Sequence, residues 1–170
     1  MNETEPNLPE PWLRGTLGDV PAVARGVLHA LMLAKEDIWK WCFPLSDEQL
    51  NERPGGIASV AFHLRHIGRS LDRLLTYAEG RALDETQVAL LKSEPAPDAK
   101  HDALLAELNL ALESACRRVR ILAALDLEAA RAVGKKQLPT TLGGLLVHVA
   151  DHTQRHVGQV ITTAKLGAKR

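Results

Sequence analysis

The sequence predicts an all-α fold, a four-helix bundle with a long crossover connection between helices 2 and 3. Over four long stretches, apolar residues recur at intervals of three and four, the period of one helix face. Alternation typical of strands never extends beyond a few residues. The proline-broken segment 81–100 separates the second stretch from the third. These observations favour one domain that spans residues 1–170, with helices packed around a shared core.

The first predicted helix runs from Thr16 to about Trp41 and follows an irregular, acidic, proline-containing segment, residues 1–15. The stretch PLSDEQLNERPGG comes next, and its prolines and glycine pair predict a turn. Ser59 is a suitable N-cap for the second helix, which we expect to end at about Tyr77.

Gly80 marks the end of the second helix. The crossover 81–100 contains a short helical patch around DETQVALLK and then the proline-broken stretch SEPAPDAK. The third helix is predicted from His101 to about Leu125, because apolar residues again follow one face.

The fourth helix is predicted to begin after Thr140, which suits an N-cap, and to continue to about Lys165. The preceding stretch RAVGKKQLP is basic and contains a glycine, so it is expected to be a solvated loop.

Composition excludes several classes of partner. Lysine plus arginine equals aspartate plus glutamate at 21 each, and aromatic residues make up 4% of the chain. Neither a global charge nor an aromatic platform therefore favours nucleic acid. No apolar window approaches the length of a membrane span, and the acidic N-terminal stretch lacks the features of a signal peptide. We expect a cytoplasmic protein with neither a membrane nor a nucleic acid as its partner.

Cysteine chemistry contributes little to the expected function. Cys42 and Cys116 are far apart and outside any CxxC spacing, so they predict neither a disulfide nor a thiolate zinc site. A metal would therefore be bound by nitrogen and oxygen ligands.

Three histidines follow one another at steps of four in the stretch HVADHTQRH, namely His148, His152 and His156. On a helix, His152 and His156 fall inside the apolar face, and His148 falls at its edge. Side chains four residues apart point the same way with Cβ atoms about 6 Å apart, a spacing that one metal ion can bridge. Two core histidines, each satisfied by a hydrogen bond, are the alternative, and spacing alone does not decide.

A useful metal site needs a third ligand from another element. The second helix offers His63 and His66 on adjacent turns. Histidines on two bundle helices can converge on one interior point, which favours a metal over the structural alternative.

The segments SVAFHLRHI and HTQRHVGQ, together with the helix order, resemble the DinB-like superfamily of metal-binding four-helix proteins. Its pattern has a second-helix histidine seven residues after a serine or threonine, and an HxxxH pair followed by x-G-Q on the last helix. Counted from Ser59, the first histidine is His66, and the pair is His152 and His156. The resemblance implies that these three histidines bind the metal.

Neighbouring residues leave alternatives open. Counting at about 100° per residue places His63 closer to the apolar face of the second helix than His66, so His63 is the reserve ligand. His148 is a candidate residue of the surrounding cleft. Gln159 is either a residue that orients a ligand or substrate, or a helix-surface amide.

The resemblance also implies a divalent metal ion, zinc or nickel first and iron or manganese next, with open positions for water or substrate. Three neutral imidazoles by themselves fit zinc, nickel, iron or copper better than calcium or magnesium. Some family members are transferases or isomerases that use low-molecular-weight thiols, so a small molecule such as a thiol is the expected partner.

The sequence assigns no catalytic residue. It contains no HExxH motif, and Asp151 points away from the face that carries His152 and His156. Three hypotheses remain: a metal-dependent thiol transferase or hydrolase, a non-catalytic metal-binding stress or interaction protein, and a plain bundle with structural histidines.

A homodimer is expected from the resemblance, since many members of the DinB-like superfamily are dimers. Met32 and Trp39 lie off the main apolar stripe of the first helix, so they predict a second apolar surface.

Overall fold

The structure is a computed structural model that describes residues 8–167. In chain order, its helices and strands are α1 (Ala22–Cys42), α2 (Asp47–Asn51), α3 (Val60–Ala78), α4 (Glu85–Ser93), α5 (His101–Leu122), β1 (Ala130–Val133), β2 (Leu138–Thr141) and α6 (Leu142–Gly167). Single 3-10 turns occur at Pro11–Leu13 and Pro54–Gly56. The chain is thus predominantly helical, as predicted, with a small two-stranded sheet that was not predicted.

Helix α1 begins later than the sequence predicted, at Ala22 rather than Thr16. Leu17 has a φ of 63°, which is left-handed and cannot continue a right-handed helix. Pro21 then stands at the N-cap position, where its missing N–H leaves no unpaired donor. The Thr16 hydroxyl lies outside the helix and contacts His29 Nε2 at 3.2 Å.

The cap and the length of the second predicted helix are confirmed by α3. Ser59 Oγ accepts a hydrogen bond from the Phe62 amide at 3.2 Å, and the helix ends at Ala78. Gly80 follows with a φ of 75°, the left-handed conformation that ends many helices. The inward stripe of α3 contains Leu64, Ile67, Leu71 and Leu75, each at most 1% exposed.

Two short helices carry capping boxes, in which the cap and a residue three positions later satisfy each other's backbone amides. In α2 the pair is Ser46 and Gln49, and in α4 it is Asp84 and Gln87. The prediction of a simple turn in PLSDEQLNERPGG was therefore wrong, and the S-x-x-Q spacing is the signal that it missed. The helical patch predicted in the crossover is confirmed as α4.

The basic stretch predicted as a loop is part of a β-hairpin. Strand β1 pairs antiparallel with β2, and Gly134 provides a φ of 71° in the connection. Each strand has only four residues, too few for alternation to stand out from the helical patterns around it.

The predicted N-cap of the last helix was one residue too early. The Gly144 amide donates to Thr141 Oγ1 at 3.1 Å, whereas Thr140 belongs to β2 and pairs with Arg131. Helix α6 therefore begins directly from the hairpin and ends at Gly167, two residues beyond the predicted Lys165.

The four long helices α1, α3, α5 and α6 surround one apolar core. Both α1 and α3 contact α5 and α6. Residues that are at most 2% exposed from each of these helices fill the centre, among them Leu28, Leu31, Leu64, Ile67, Val119, Leu146 and Val149. No helix within residues 8–167 combines the length and the apolar character needed to cross a membrane.

Both cysteines have free thiols, which agrees with the absence of a predicted disulfide. Burial raises the pKa of the Cys42 thiol to about 12. Burial also raises the pKa of the Cys116 thiol. Both thiols are therefore protonated at neutral pH, and neither is poised to be a thiolate ligand.

Candidate metal centre

Four histidines from α3 and α6 face one another in two pairs. His66 Nε2 lies 2.9 Å from His152 Nε2, and His63 Nδ1 lies 3.1 Å from His156 Nδ1. Residue numbers rise along α3 while their partners' numbers fall along α6, so the two helices are antiparallel here. The pairs occupy adjacent turns because each helix places side chains three or four residues apart on one face.

Three of these rings form a compact cluster. His66, His152 and His156 each offer one nitrogen, and the three nitrogens lie within 4.8 Å of one another. The ring of His66 is centred 4.3 Å from that of His156 and 5.0 Å from that of His152. All three residues are half-buried. The structure thus brings together the three residues that the family pattern singled out.

Hydrogen bonds indicate which nitrogen each ring can offer. The Nδ1 atom of His66 is 2.8 Å from Glu94 Oε2, and the Nδ1 atom of His156 contacts His63. Nε2 is therefore the ring nitrogen that these two contacts leave free, and in His66 it faces Nε2 of His152. His152 already directs Nε2 toward His66. These contacts favour Nε2 as the donor atom of each ring, and one nitrogen from each ring lies within 4.8 Å of the other two.

The donor set suits a transition metal ion. Imidazole is a preferred ligand of zinc, nickel and iron, and Zn–N bonds of about 2.0–2.1 Å hold tetrahedral nitrogens about 3.4 Å apart. His66 Nε2 and His152 Nε2 are 2.9 Å apart, so about 0.5 Å of separation would bring them to that spacing. The third nitrogen, from His156, lies within 4.8 Å of the other two, so it would have to move closer. Rotations of these half-buried rings can provide both changes, and the chemistry of the three imidazoles fits a divalent cation.

The electrostatic environment favours the neutral form of two of these imidazoles, His152 and His156. Burial lowers the pKa of His152 to about 4, and the nearby His66 contributes to the shift. Burial, followed by His66, likewise lowers the pKa of His156 to about 4. A neutral imidazole has a free lone pair, which is the form that binds a metal.

His63 is placed behind the cluster rather than in it. It is 6% exposed, and its Nδ1 atom contacts Nδ1 of His156. Burial lowers the pKa of His63 below its ordinary value, and the proximity of His66 adds to this effect. The helical-face count thus correctly indicated that His63 is buried, but burial and membership of the cluster are different properties.

His148, Asp151 and Gln159 lie outside the cluster. The ring of His148 is centred 5.3 Å from that of His152, and its Nδ1 lies 3.5 Å from Asp151 Oδ2. Asp151 is exposed and accepts a hydrogen bond from Arg155, in line with the expectation that it points away. Gln159 is exposed on α6, which favours its interpretation as a helix-surface amide.

Three residues near His66 were missed by the sequence analysis. Glu94 is 3% exposed and places Oε1 2.7 Å from Arg73 Nη1, while Oε2 contacts His66. Phe62 stacks on the His66 ring with centroids 5.7 Å apart. Glu94 belongs to the proline-broken part of the crossover, where no periodic pattern marks a residue as buried. The Phe62 position, four residues before His66, was a usable signal.

The Glu94 carboxylate is ionised despite its burial. Burial raises its pKa, but hydrogen bonds from His66 and Arg73 outweigh that effect and leave the pKa below its usual range. The ion pair with Arg73 compensates the loss of water around both groups.

Fold and site together define a class: a helical protein in which imidazoles from two packed helices converge on one point, as in the metal centres of helical bundles. A family model described as the DinB superfamily matches residues 30–160. The chain therefore belongs to the DinB superfamily, which confirms the resemblance seen in the histidine motifs. A comparison with curated proteins found no match.

Proposed function

We propose that this protein binds one divalent metal ion through His66, His152 and His156. The main support is that one nitrogen from each ring lies within 4.8 Å of the other two, although the rings belong to two different helices. Hydrogen bonds at Nδ1 of His66 and at Nδ1 of His156 support Nε2 as the ligand atom of both rings.

Zinc and nickel are the first candidates for the ion, with iron and manganese as alternatives. A set of three neutral nitrogen ligands favours the first-row transition metals over calcium and magnesium. Within the family fold, we further propose a four-helix bundle built from α1, α3, α5 and α6, and a single domain over residues 1–170. The shared core of these helices supports both proposals.

The reaction class that we propose is a metal-dependent transferase or hydrolase that acts with a small thiol or an electrophilic small molecule. Three protein ligands leave at least one position for an exogenous ligand. The ion would supply Lewis acidity, which favours the deprotonated form of water or of a thiol. His66, His152 and His156 would orient that position, while Phe62 covers one face of the His66 ring. A non-catalytic metal-binding stress or interaction protein is the alternative.

Protein purified without a nickel column is expected to contain, or to take up, about one divalent ion per chain, because the three imidazoles form one donor set. Elemental analysis before and after dialysis against a chelator, followed by titration with zinc or nickel, measures this stoichiometry. Protein that contains no metal and does not bind added zinc or nickel would instead support structural histidines. Thiol-dependent turnover in the metal-loaded protein, lost in the metal-free protein, would distinguish the enzyme from the alternative.

We also propose a homodimer in which the groove between α1 and α5 receives a second copy of the chain. Trp39 is 59% exposed, and its ring stacks on that of Phe43 with centroids 4.4 Å apart. Two cavities of about 390 and 380 Å³ lie along this groove, the first beside Trp39 and the second beside Met32. An exposed aromatic pair beside apolar cavities is typical of a protein interface.

Light scattering at high protein concentration is expected to give twice the monomer mass, and Trp39→Lys should shift the mass toward the monomer. A buried lysine charge without a partner is costly at an interface. Leu138→Lys is the matched control, since Leu138 is 60% exposed on β2 and outside the groove. A monomeric mass for the unmodified protein would contradict the proposal.

A further inference from the structure

Glu94 is a buried carboxylate that the crossover connection contributes to the histidine cluster. It caps the C-terminal end of α4 and is 3% exposed. Burying a carboxylate costs free energy unless charged or hydrogen-bonding groups surround it. Both of its oxygens have such partners on α3, namely Arg73 at 2.7 Å and His66 at 2.8 Å.

The direction of the hydrogen bond between Glu94 and His66 determines the tautomer of the ring. An ionised carboxylate only accepts hydrogen bonds, so His66 Nδ1 carries the hydrogen and donates it. In a neutral ring, the lone pair is then on Nε2, the atom that faces His152 at 2.9 Å. The orientation of the ring is fixed by the same bond.

We propose that Glu94 is a positioning residue for the metal centre, holding His66 in the Nδ1–H tautomer with Nε2 directed at the cluster. This inference rests on the proposed function, in which His66 Nε2 is a ligand. Histidine ligands of metals commonly donate their other ring N–H to a carboxylate, which increases the basicity of the ligand nitrogen. Arg73 holds the second oxygen and thereby orients the carboxylate itself.

The same bond links the centre to the crossover. A cation on Nε2 makes the Nδ1–H of His66 a stronger donor, so the bond to Glu94 strengthens and the end of α4 is held more firmly. By reciprocity, loss of this bond weakens metal binding by the same free energy by which the bound metal strengthens the bond.

If the role of Glu94 were purely structural, its pairing with Arg73 would serve only to anchor the crossover on α3. A second arginine of α3 also anchors the crossover, because Arg69 donates to Leu90 O and to Ser93 Oγ, each at 3.0 Å. Arg69 also pairs with Glu107 at 3.0 Å. These contacts involve none of the clustered histidines, so Ser93→Ala and Glu107→Gln are matched controls for Glu94→Gln.

The experiment measures two properties of the full chain and of each variant. The first is zinc affinity, by competition with a coloured chelator. The second is the tautomer of His66 in the metal-free protein, by long-range proton–nitrogen NMR correlations of the imidazole ring. In Glu94→Gln, an amide whose oxygen accepts from Arg73 presents its NH₂ group to His66 Nδ1, which favours the Nε2–H tautomer.

We expect Glu94→Gln to lower zinc affinity about 10- to 100-fold and to shift His66 toward the Nε2–H tautomer. Ser93→Ala and Glu107→Gln should change affinity by no more than about twofold and keep the Nδ1–H tautomer. Equal losses in Glu94→Gln and Ser93→Ala, or wild-type affinity in Glu94→Gln, would overturn the proposal. Should Glu94→Gln fail to fold, the wild-type protein decides alone: a dominant Nε2–H tautomer at His66 refutes the proposal, and Nδ1–H supports it.

The two possible failures are distinguishable. Wild-type protein that binds no zinc would disprove the proposed function, yet the tautomer of His66 in metal-free protein would still test the role of Glu94. Zinc binding that is insensitive to Glu94→Gln would leave the proposed function intact and remove only the positioning role.

Discussion

Replacing His66 with alanine is expected to lower metal affinity at least about a thousandfold, well beyond the 10–100-fold that follows loss of a residue supporting a ligand. The reason is that His66 is the α3 member of the cluster whose nitrogens lie within 4.8 Å. Its removal leaves two ligands on one helix. Competition with a coloured chelator at fixed pH measures the loss.

The matched control is His63→Ala, on the same helix one turn earlier. His63 contacts Nδ1 of His156, so its removal should lower metal affinity by at most about a hundredfold, the scale of a lost supporting hydrogen bond. If His63→Ala proved the more damaging of the two, the apolar-face count would be the better guide to the ligand.

Alanine at His152 or at His156 is expected to abolish stoichiometric binding of a divalent ion. Each ring offers one of the clustered nitrogens, and among the described residues the group that includes His66 contains these two α6 histidines and not His148. The fold should survive, since packing of the apolar helix faces provides most of its stability. Metal content after gel filtration tests the loss of binding, and helicity by circular dichroism tests the survival of the fold.

His148→Ala is the control for these two variants, because His148 is on α6 one turn before His152 and outside the three-nitrogen cluster. It is expected to retain the ion. Metal content that remains at the wild-type level in both His152→Ala and His156→Ala would refute the proposed centre.

The positions of the long helices were predictable because their signals are local. Ser59 caps α3 as predicted, and the apolar stripes of α3 and α5 repeat over many turns. The start of α1 was not predictable from periodicity, since Leu17 adopts a left-handed φ and the spacing of apolar residues gives no signal for such a break. Short elements such as α2 and the β-hairpin contain too few residues for a period to be recognised.

The candidate site was predictable in part. The i, i+4 spacing placed His152 and His156 on one face, and the family spacing from Ser59 indicated His66 rather than His63. Periodicity favoured His63, because it reports the distance of a side chain from the core. The cluster depends instead on which nitrogen points at which neighbour across the contact between α3 and α6, and the spacing within one helix contains no such information.

By itself, the sequence determined the helical class, the two helices that carry the histidines and the spacing that brings His152 and His156 together. These follow from periods and caps that act within a few turns of one helix. Only the tertiary structure decided that His63 supports His156 and that Glu94 reaches His66, two contacts between residues 93 and 28 positions apart. The physical reason is that such contacts depend on the antiparallel packing of two helices and on the path of the crossover, which no local pattern specifies.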